Sequence, residues 1–370
     1  MKNPGKVLVV ATRRIGDVLL TTPLIRTLRR AWPSAQIDVL AFEDTEGFLL
    51  ANPDVNQVIT VAEKRRFWPH LKFLIHIMRR YDLALSTLPG DRPTFYAWIA
   101  GKYRVGVMEG EFKQQWKRLL LNRWTFFDNT DTHTVLMNLK LADLLEIRRY
   151  HEVVVPWRQT DEERVARILP FDMRLESYAI LHVYPKFSYK RWQQEGWGEL
   201  GRWLKDNGIR VVLTGSNTAD ELTYVAQIAK VLPPKTVNLA GKLSLTEVAF
   251  LTSQACLYVG LDTALTHMAA ALGIPTVAMY GPTNPVKWGP WPKGHSEGNP
   301  YARKGSQSAG NVILVQGIGD CVPCHEEGCA RHIDSLSDCL QRLPAAQVID
   351  AAQKALVYVQ NRKEVKNGQR

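Results

Sequence analysis

The chain has 370 residues, enough for two domains of ordinary size, and its 45% hydrophobic and 22% charged residues are typical of a soluble globular protein. No apolar run is long enough to span a bilayer, and the amino-terminal segment does not resemble a signal peptide, so we expect a cytoplasmic protein. The net charge of +11 suits nucleic acid, an anionic membrane surface or a polyanionic substrate. Because the sequence has no zinc-finger spacing, RNP run or helix-turn-helix pattern, we expect no nucleic-acid partner.

The first part of the chain alternates between apolar runs and amphipathic segments. Residues 6–11 form a continuous apolar run that predicts a buried parallel strand, and residues 17–32 carry apolar side chains at helical spacing. The alternation continues to a helix predicted over residues 132–145. Residues 107–127 are rich in Trp, Phe, Lys and Arg, which suits either a packed insertion or a loop that contacts an acceptor or a membrane.

The pattern changes around residues 151–161, and a second strand–helix series follows. Two successive series of similar size predict the α/β class with two Rossmann-like domains. We place the first domain at residues 1–155 and the second at residues 156–344. A last helix within residues 345–370 is expected to pack back across the junction between the domains.

Gly16 and Asp17 follow the first predicted strand. Gly16 permits a tight turn and a close approach of a ligand to the backbone. Asp17 then lies at the start of a helix and at the carboxyl end of the strand, where ligands bind in open α/β sheets. The same pattern is typical of a carboxylate that only caps the helix and complements its dipole.

The segment GLDTALTHMAAALGIPTVAMYGPTNPVKWGP, residues 260–290, predicts a second turn, helix and strand. Its helix is opened by Asp262, Thr263, Thr266 and His267. The unpaired backbone N–H groups of a helix start, two threonine hydroxyls and an imidazole together suit an anion. An ordinary helix cap beside a packed histidine accounts for the same pattern.

Lys190 and Arg191 follow another predicted strand, in the sequence KRW. Cations on a loop at the carboxyl edge of a sheet could neutralise a diphosphate. A solvated basic loop anchored by Trp192 is the alternative.

Four of the five cysteines lie close together late in the chain, with the spacing C-x2-C-x4-C-x9-C. They are Cys321, Cys324, Cys329 and Cys339. Because cytoplasmic proteins rarely keep disulfides, the cluster suggests a metal, and four thiolates suit zinc or iron. The spacing differs from paired zinc-ribbon knuckles, so four reduced thiols in a surface loop are the alternative.

Two motifs, in this order, resemble those of glycosyltransferase family 9. The run D-T-A-L-T-H-M-A-A-A-L-G-I-P, followed by G-P-T-N-P, resembles the C-terminal signature of the ADP-heptose:lipopolysaccharide heptosyltransferases, and G-D-V-L-L-T-T-P resembles an earlier family motif. The chain departs at Ala264, where the family has glycine and where a methyl group narrows the approach of backbone to phosphate. The KRW element and the segment TGSNTADE, which contains Glu221, resemble two further family elements.

This resemblance implies the GT-B architecture, in which two Rossmann-like domains face each other across a cleft. It implies an inverting transfer of heptose from ADP-heptose to the inner core of lipopolysaccharide, with Asp17 as general base and no cofactor required for catalysis. The residues that would contact the nucleotide sugar are Lys190, Arg191, Glu221, Asp262, Thr263, Ala264, Thr266 and His267. The basic surface would then meet phosphorylated lipid A, which places the protein peripherally on the inner face of the inner membrane.

Two other functions stay open at this level. The first keeps the fold and the donor but changes the acceptor to a protein, as in family members that carry cysteine-ligated iron. The second is a non-catalytic nucleotide-sugar-binding member of a lipopolysaccharide assembly complex, and Ala264 is the residue that favours it.

Overall fold

The computed structural model describes residues 3–64 and 67–367, which form two compact units. The first unit comprises Met1–Pro156 with Ser296–Asn299, and the second comprises Trp157–His295 with Pro300–Arg370. Each unit is built around its own, mainly parallel, sheet. The predicted α/β class is therefore confirmed for both parts of the chain.

The described part of the first unit has a sheet of the order β3-β2-β1-β4-β5-β6, in which all neighbours are parallel. The strands are β1 (Lys6–Val10), β2 (Gln36–Phe42), β3 (Gln57–Val61), β4 (Tyr81–Ser86), β5 (Gly101–Met108) and β6 (Arg123–Phe126). The helices are α1 (Ile15–Leu19), α2 (Thr22–Ala31), α3 (Phe67–Ile77), α4 (Asp91–Ala100), α5 (Thr134–Leu144) and a 3₁₀ helix, η1 (Phe112–Leu119).

The apolar run of β1 is explained by burial on both faces of the sheet. Val7 and Val9 pack into the core on one face, and Leu8 and Val10 pack into the core on the other. Successive side chains of a strand point to opposite faces, so a strand covered on both sides needs apolar residues at every position. Because β1 lies between β2 and β4, the chain reverses its direction of travel across the sheet beside β1, and ligands bind at such switch points.

The helix predicted over residues 17–32 is divided into α1 and α2. Pro23 lies in the first turn of α2 and has no N–H to donate to the preceding turn. The carbonyl of Leu19, which a continuous helix would pair with that amide, accepts the Thr22 hydroxyl at 2.7 Å instead. The break leaves Asp17 in a separate one-turn helix at the end of β1.

The aromatic and basic segment of residues 107–127 is folded into the first unit as the end of β5, then η1, then the edge strand β6. β6 pairs in parallel with β5, from Val105 opposite Arg123 to Met108 opposite Phe126. The sequence pattern did not reveal this strand because it has only four residues and none of them is buried, although its side chains alternate between polar and apolar.

The described part of the second unit has a sheet of the order β12-β13-β11-β10-β7-β8-β9, parallel except for the pair β12–β13. The strands are β7 (Tyr178–His182), β8 (Arg210–Leu213), β9 (Val237–Asn238), β10 (Leu257–Leu261), β11 (Thr276–Tyr280), β12 (Gln307–Ala309) and β13 (Val312–Gln316). The helices are α6 (Gln159–Ile168), α7 (Gln194–Asp206), α8 (Ala219–Ala229), α9 (Leu245–Ser253), α10 (Ala264–Leu272), α11 (Pro285–Trp288), α12 (Asp338–Gln341), α13 (Ala345–Asn367) and a 3₁₀ helix, η2 (Ser188–Lys190).

The long helix α13 packs on the second sheet against α7, β10, β11 and β13. Its buried side chains recur at helical spacing and include Ala345, Val348, Ala352 and Ala355. These contacts belong to the second unit, and the expected packing across the junction stays a prediction. Over residues 3–64 and 67–367, no helix is both long and apolar enough to span a membrane.

Candidate active site

The second sheet has its switch point between β7 and β10, and polar side chains converge where these two strands end. Lys190 closes η2, after β7, and Asp262 follows β10 directly. The ammonium group of Lys190 donates to Oδ2 of Asp262, and the hydroxyl of Thr283 donates to the same oxygen at 2.7 Å. The two charged side chains are only 17% and 9% exposed, so they form a largely buried ion pair.

Burial and the ion pair together determine the pKa values of Asp262 and of the neighbouring His267. Burial acts to raise the pKa of Asp262, but the ion pair with Lys190 and the hydrogen bonds from Lys190 and Thr283 outweigh it and lower this pKa. Burial lowers the pKa of His267 to about 4, although Asp262 opposes the shift. His267 is therefore a neutral imidazole at physiological pH, and Nδ1 of this ring is buried without a hydrogen-bond partner among the described residues.

The helix α10 begins beside the ion pair. Thr263 is its N-cap residue with an extended backbone, and its side chain makes no capping hydrogen bond. Ala264 occupies the first position of the helix, and Gly273 ends the helix in the left-handed conformation, φ 84°, as its sequence position predicts. The first backbone N–H groups of α10 therefore lie close to Lys190 and Asp262, in the arrangement expected of an anion site.

The hydroxyl of Thr266 is turned toward β10. The side chain is fully buried, and its hydroxyl donates to the carbonyl of Leu261. The Tyr258 hydroxyl lies 3.1 Å from the hydroxyl oxygen of Thr266. These contacts fix the start of α10 to the strand that precedes it, and the expected contact of Thr266 with the nucleotide sugar stays a prediction.

Glu221 lies in the first turn of α8, beyond the end of β8, and is 8% exposed. Ser216 donates a hydrogen bond to its carboxylate. His182, the last residue of β7, lies close by, with Nδ1 3.2 Å from the Thr214 hydroxyl. Burial lowers the pKa of His182, while the carboxylate of Glu221 opposes this shift. His182 is not among the residues predicted from the sequence, and the signal that marks it is a titratable residue closing an otherwise apolar strand.

Arg191 is held by aromatic rings. Its guanidinium lies 4.6 Å from the ring centroid of Tyr224 and 5.2 Å from that of Tyr184. Gln341, two residues after Cys339, donates to the backbone carbonyl of Arg191 at 2.8 Å. The two rings hold the guanidinium by cation–π attraction, and the Gln341 hydrogen bond holds the backbone of Arg191, next to Lys190.

The cysteine segment, residues 317–341, is attached to both loops of the site. The Ser188 amide donates to the Ile333 carbonyl at 3.2 Å, and the His325 amide donates to the Pro282 carbonyl at 2.9 Å. Cys339 is buried beside Gly281, where an added Cβ would lie 3.1 Å from its sulfur. The segment therefore supports the Lys190 loop and the loop that carries Thr283.

The metal site predicted for the four cysteines is not supported by their geometry. Within the described ranges, no group of three or more His, Cys, Asp or Glu side chains is arranged to hold a metal ion. Burial, reinforced by the three other cysteines, raises the pKa of Cys339 to about 12. The sulfur of Cys329 accepts the Asp338 amide at 3.3 Å, and all four cysteines are free thiols.

Asp17 lies in α1, just after the end of β1 at the switch point of the first sheet. Its side chain is 14% exposed, and Nε of Arg13 lies 3.5 Å from Oδ2. The Thr21 hydroxyl donates to the backbone carbonyl of Asp17 at 2.9 Å. The structure thus holds this carboxylate at the edge of the sheet where ligands bind.

Two open, mainly parallel sheets, one with the Lys190–Asp262 pair and one with the Asp17 carboxylate at its switch point, define a Rossmann-like α/β protein. A sequence model of glycosyltransferase family 9 (heptosyltransferase) matches residues 94–298. Lipopolysaccharide heptosyltransferase 3 of Escherichia coli K12 is 27% identical over 286 residues, which cover 75% of this chain and 82% of that protein. The chain belongs to glycosyltransferase family 9, a family of transferases, as its motifs predicted.

Solved structures agree with this fold. The glycosyl transferase family 9 protein of Veillonella parvula matches with a TM-score of 0.76 and 19% identity, covering 96% of this chain and 98% of that chain. The ADP-heptose lps heptosyltransferase II of E. coli matches with a TM-score of 0.74 and 21% identity, covering 96% and 99%. At these identities the likeness establishes the fold.

Proposed function

We propose that this chain transfers heptose from ADP-heptose to a hydroxyl of the lipopolysaccharide inner core, with inversion at the anomeric carbon. The observation that carries the proposal is the buried pair of Lys190 and Asp262 at the switch point of the second sheet, beside the start of α10. Membership of family 9 supports the reaction class, and the names of the relatives suggest the donor and the acceptor.

In this proposal Lys190 binds the diphosphate of the donor. A lysine ammonium has three N–H donors, and Asp262 accepts one of them, which leaves the others for phosphate oxygens. The N–H groups at the start of α10 add donors and a favourable dipole. As the bond between the anomeric carbon and the phosphate oxygen breaks, these fixed donors stabilise the charge that develops on ADP.

Asp17 is proposed as the general base. It takes the proton of the acceptor hydroxyl while the oxygen attacks the anomeric carbon and ADP departs from the opposite side. Nε of Arg13, 3.5 Å from Oδ2 of Asp17, orients the carboxylate. Because the acceptor is a membrane glycolipid, we place the protein in the cytoplasm, peripherally on the inner face of the inner membrane.

Two variants test these roles separately, with ADP binding measured by calorimetry and transfer measured on truncated lipopolysaccharide cores. Asp17→Asn should lower the transfer rate by about 10²- to 10⁴-fold and leave ADP affinity unchanged. Lys190→Ala should weaken ADP binding by about tenfold to a hundredfold, because a charge-assisted hydrogen bond to phosphate is lost. Lys205→Ala, an exposed lysine of α7, is the matched control and should change neither quantity.

Full transfer activity in Asp17→Asn would refute the base assignment. An ADP affinity of Lys190→Ala equal to that of wild type would refute the assignment of Lys190 to the donor diphosphate site. ADP binding without transfer to any core would instead direct attention to a protein acceptor or to a non-catalytic role.

A further inference from the structure

Several large apolar side chains of the first unit face solvent along one helix. Trp68, Leu71 and Ile75 of α3 are 70%, 38% and 60% exposed, and Met78 just beyond it is 55% exposed. Their spacing of three, four and three residues places them on one face of a helix. The opposite face packs into the core of the first unit through Phe73, Leu74 and Ile77. Single exposed apolar residues are ordinary, but a continuous exposed stripe indicates a binding surface.

The 3₁₀ helix η1 exposes its large apolar side chains and buries a lysine, the opposite of the usual arrangement in a soluble protein. Phe112 and Leu119 are 92% and 85% exposed and Trp116 is 44% exposed, whereas Lys117 is fully buried. The Lys117 ammonium lies 2.9 Å from a carboxylate oxygen of Asp91 and donates to Gln114 at 2.7 Å. The buried lysine anchors η1 on the unit and leaves its apolar side chains pointing outward.

Both elements begin at the same edge of the first sheet. α3 follows β3 and η1 follows β5, so each starts at the carboxyl end of a parallel strand, as α1 with Asp17 does after β1. The first turn of α4 links them, because Arg92 donates to the carbonyls of Ala62 and Glu63 at 2.6 and 2.8 Å, and Asp91 pairs with Lys117. The starts of α3 and η1, with Trp68 and Phe112, therefore lie toward the edge that holds the proposed base.

The two elements themselves carry basic and no acidic side chains, while the acidic residues Glu111 and Asp91 lie beside η1. Residues 67–80 contain one lysine and two arginines and no acidic residue, and residues 112–123 contain two lysines and two arginines and no acidic residue. Lys72, Arg79, Arg80 and Arg118 are exposed. Apolar side chains, including two tryptophans, with basic residues beside them are the composition of a surface that inserts into the interface of an anionic bilayer.

We propose that α3 and η1 form a docking surface for an anionic phospholipid bilayer, into which Trp68, Ile75 and Leu119 insert. Docking in this way lays this face of the first unit on the membrane and brings the starts of α3 and η1, at the carboxyl edge of the first sheet, near the lipid surface where a lipid-linked acceptor presents its sugar. This proposal rests on the proposed function for its purpose, but the binding itself is independent of catalysis. A second copy of the chain fits the surface less well, because two such surfaces would bring like charges together.

The experiment measures co-sedimentation of the full chain with vesicles of phosphatidylcholine, with or without phosphatidylglycerol, in the absence of donor and acceptor. We expect binding only to the anionic vesicles, and a decrease in binding as salt is added. Trp68→Ser and Leu119→Ser should each raise the lipid concentration needed for half-binding by about fivefold or more. Leu175→Ser is the matched control, since Leu175 of the second unit is 84% exposed against 85% for Leu119, and it should bind like wild type.

Binding that is absent, or equal in all four proteins, would overturn the proposal. A wild-type dimer that Trp68→Ser and Leu119→Ser dissociate, without any vesicle binding, would overturn it in favour of a second copy. Transfer assays on two forms of the acceptor distinguish a failure of membrane docking from a failure of the proposed transferase function. On a soluble, deacylated core the two variants should be as active as wild type, whereas on vesicle-embedded acceptor their activity should fall in proportion to lost binding.

Discussion

The buried imidazole of His267 should make the stability of the protein depend on pH. The pKa of this ring is about 4 in the folded protein and about 6.5 in an unfolded chain. A group whose folded pKa is lowered contributes stability that is present above its unfolded pKa and is lost as the pH falls toward the folded value. The stability that His267 contributes is therefore present at neutral pH and decreases between about pH 6.5 and about pH 4.

The size of the effect follows from the two pKa values. Between about pH 7 and about pH 5, the unfolded chain binds the proton and the folded protein does not, which removes about 2 kcal/mol from the free energy of unfolding. Replacing His267 with glutamine, which does not titrate, should remove this contribution. The decrease in stability over the same pH range should then be smaller in His267→Gln than in wild type by about 2 kcal/mol.

The assay is urea unfolding followed by circular dichroism at both pH values, for wild type, His267→Gln and His332→Gln. His332 is an exposed histidine of the second unit, and its variant serves as the control for loss of a surface imidazole. His182, whose pKa is also lowered by burial, is present in all three proteins and cancels in the comparison. An equal pH dependence in wild type and His267→Gln would refute the reasoning that His267 is buried and neutral.

Three further substitutions test individual contacts by the change in the free energy of unfolding. Thr266→Val should cost about 1–3 kcal/mol, because a buried carbonyl loses its donor, and calorimetry of ADP binding tests the expected contact of Thr266 with the nucleotide sugar. Gly281→Ala should cost about 1–3 kcal/mol, since its new Cβ would lie 2.8 Å from Leu340, and a melting temperature equal to that of wild type would contradict this clash. Tyr81→Phe should cost about 1–3 kcal/mol, because the buried carboxylate of Asp38 loses a hydrogen bond of 2.9 Å, and Tyr81→Phe at wild-type stability in urea would show that water replaces it.

The fold class was predictable because strands buried on both faces are continuous apolar runs in the sequence. Residues 7–10 of β1, 178–181 of β7 and 257–261 of β10 are uninterrupted runs without charged residues, and Gly273 marks the end of α10 as its left-handed backbone requires. Helices and strands without such an apolar pattern were not predicted. α6 has one fully buried residue, Val165, so its polar sequence resembled a linker.

The candidate site was predictable to the extent that its chemistry is local. Asp262, Thr263 and Lys190 belong to short motifs whose residue types and positions after strands suggest an anion site, and Asp17 follows β1 in the same way. The sequence could not show that Asp262 and Lys190 pair with each other, because they are 72 residues apart. It also could not show that the hydroxyl of Thr266 is turned toward β10.

What the sequence determined by itself is therefore the buried central strands, the helix boundaries marked by glycine and proline, and the family. These depend on local periodicity and on short motifs, which survive without knowledge of tertiary contacts. Tertiary structure alone decided which polar groups lie together: His182 beside Glu221, Arg191 between two tyrosines, and Lys117 buried beneath an outward-facing apolar surface. Burial and charge pairing depend on neighbours that are distant along the chain, so they exist only once the sheets have assembled.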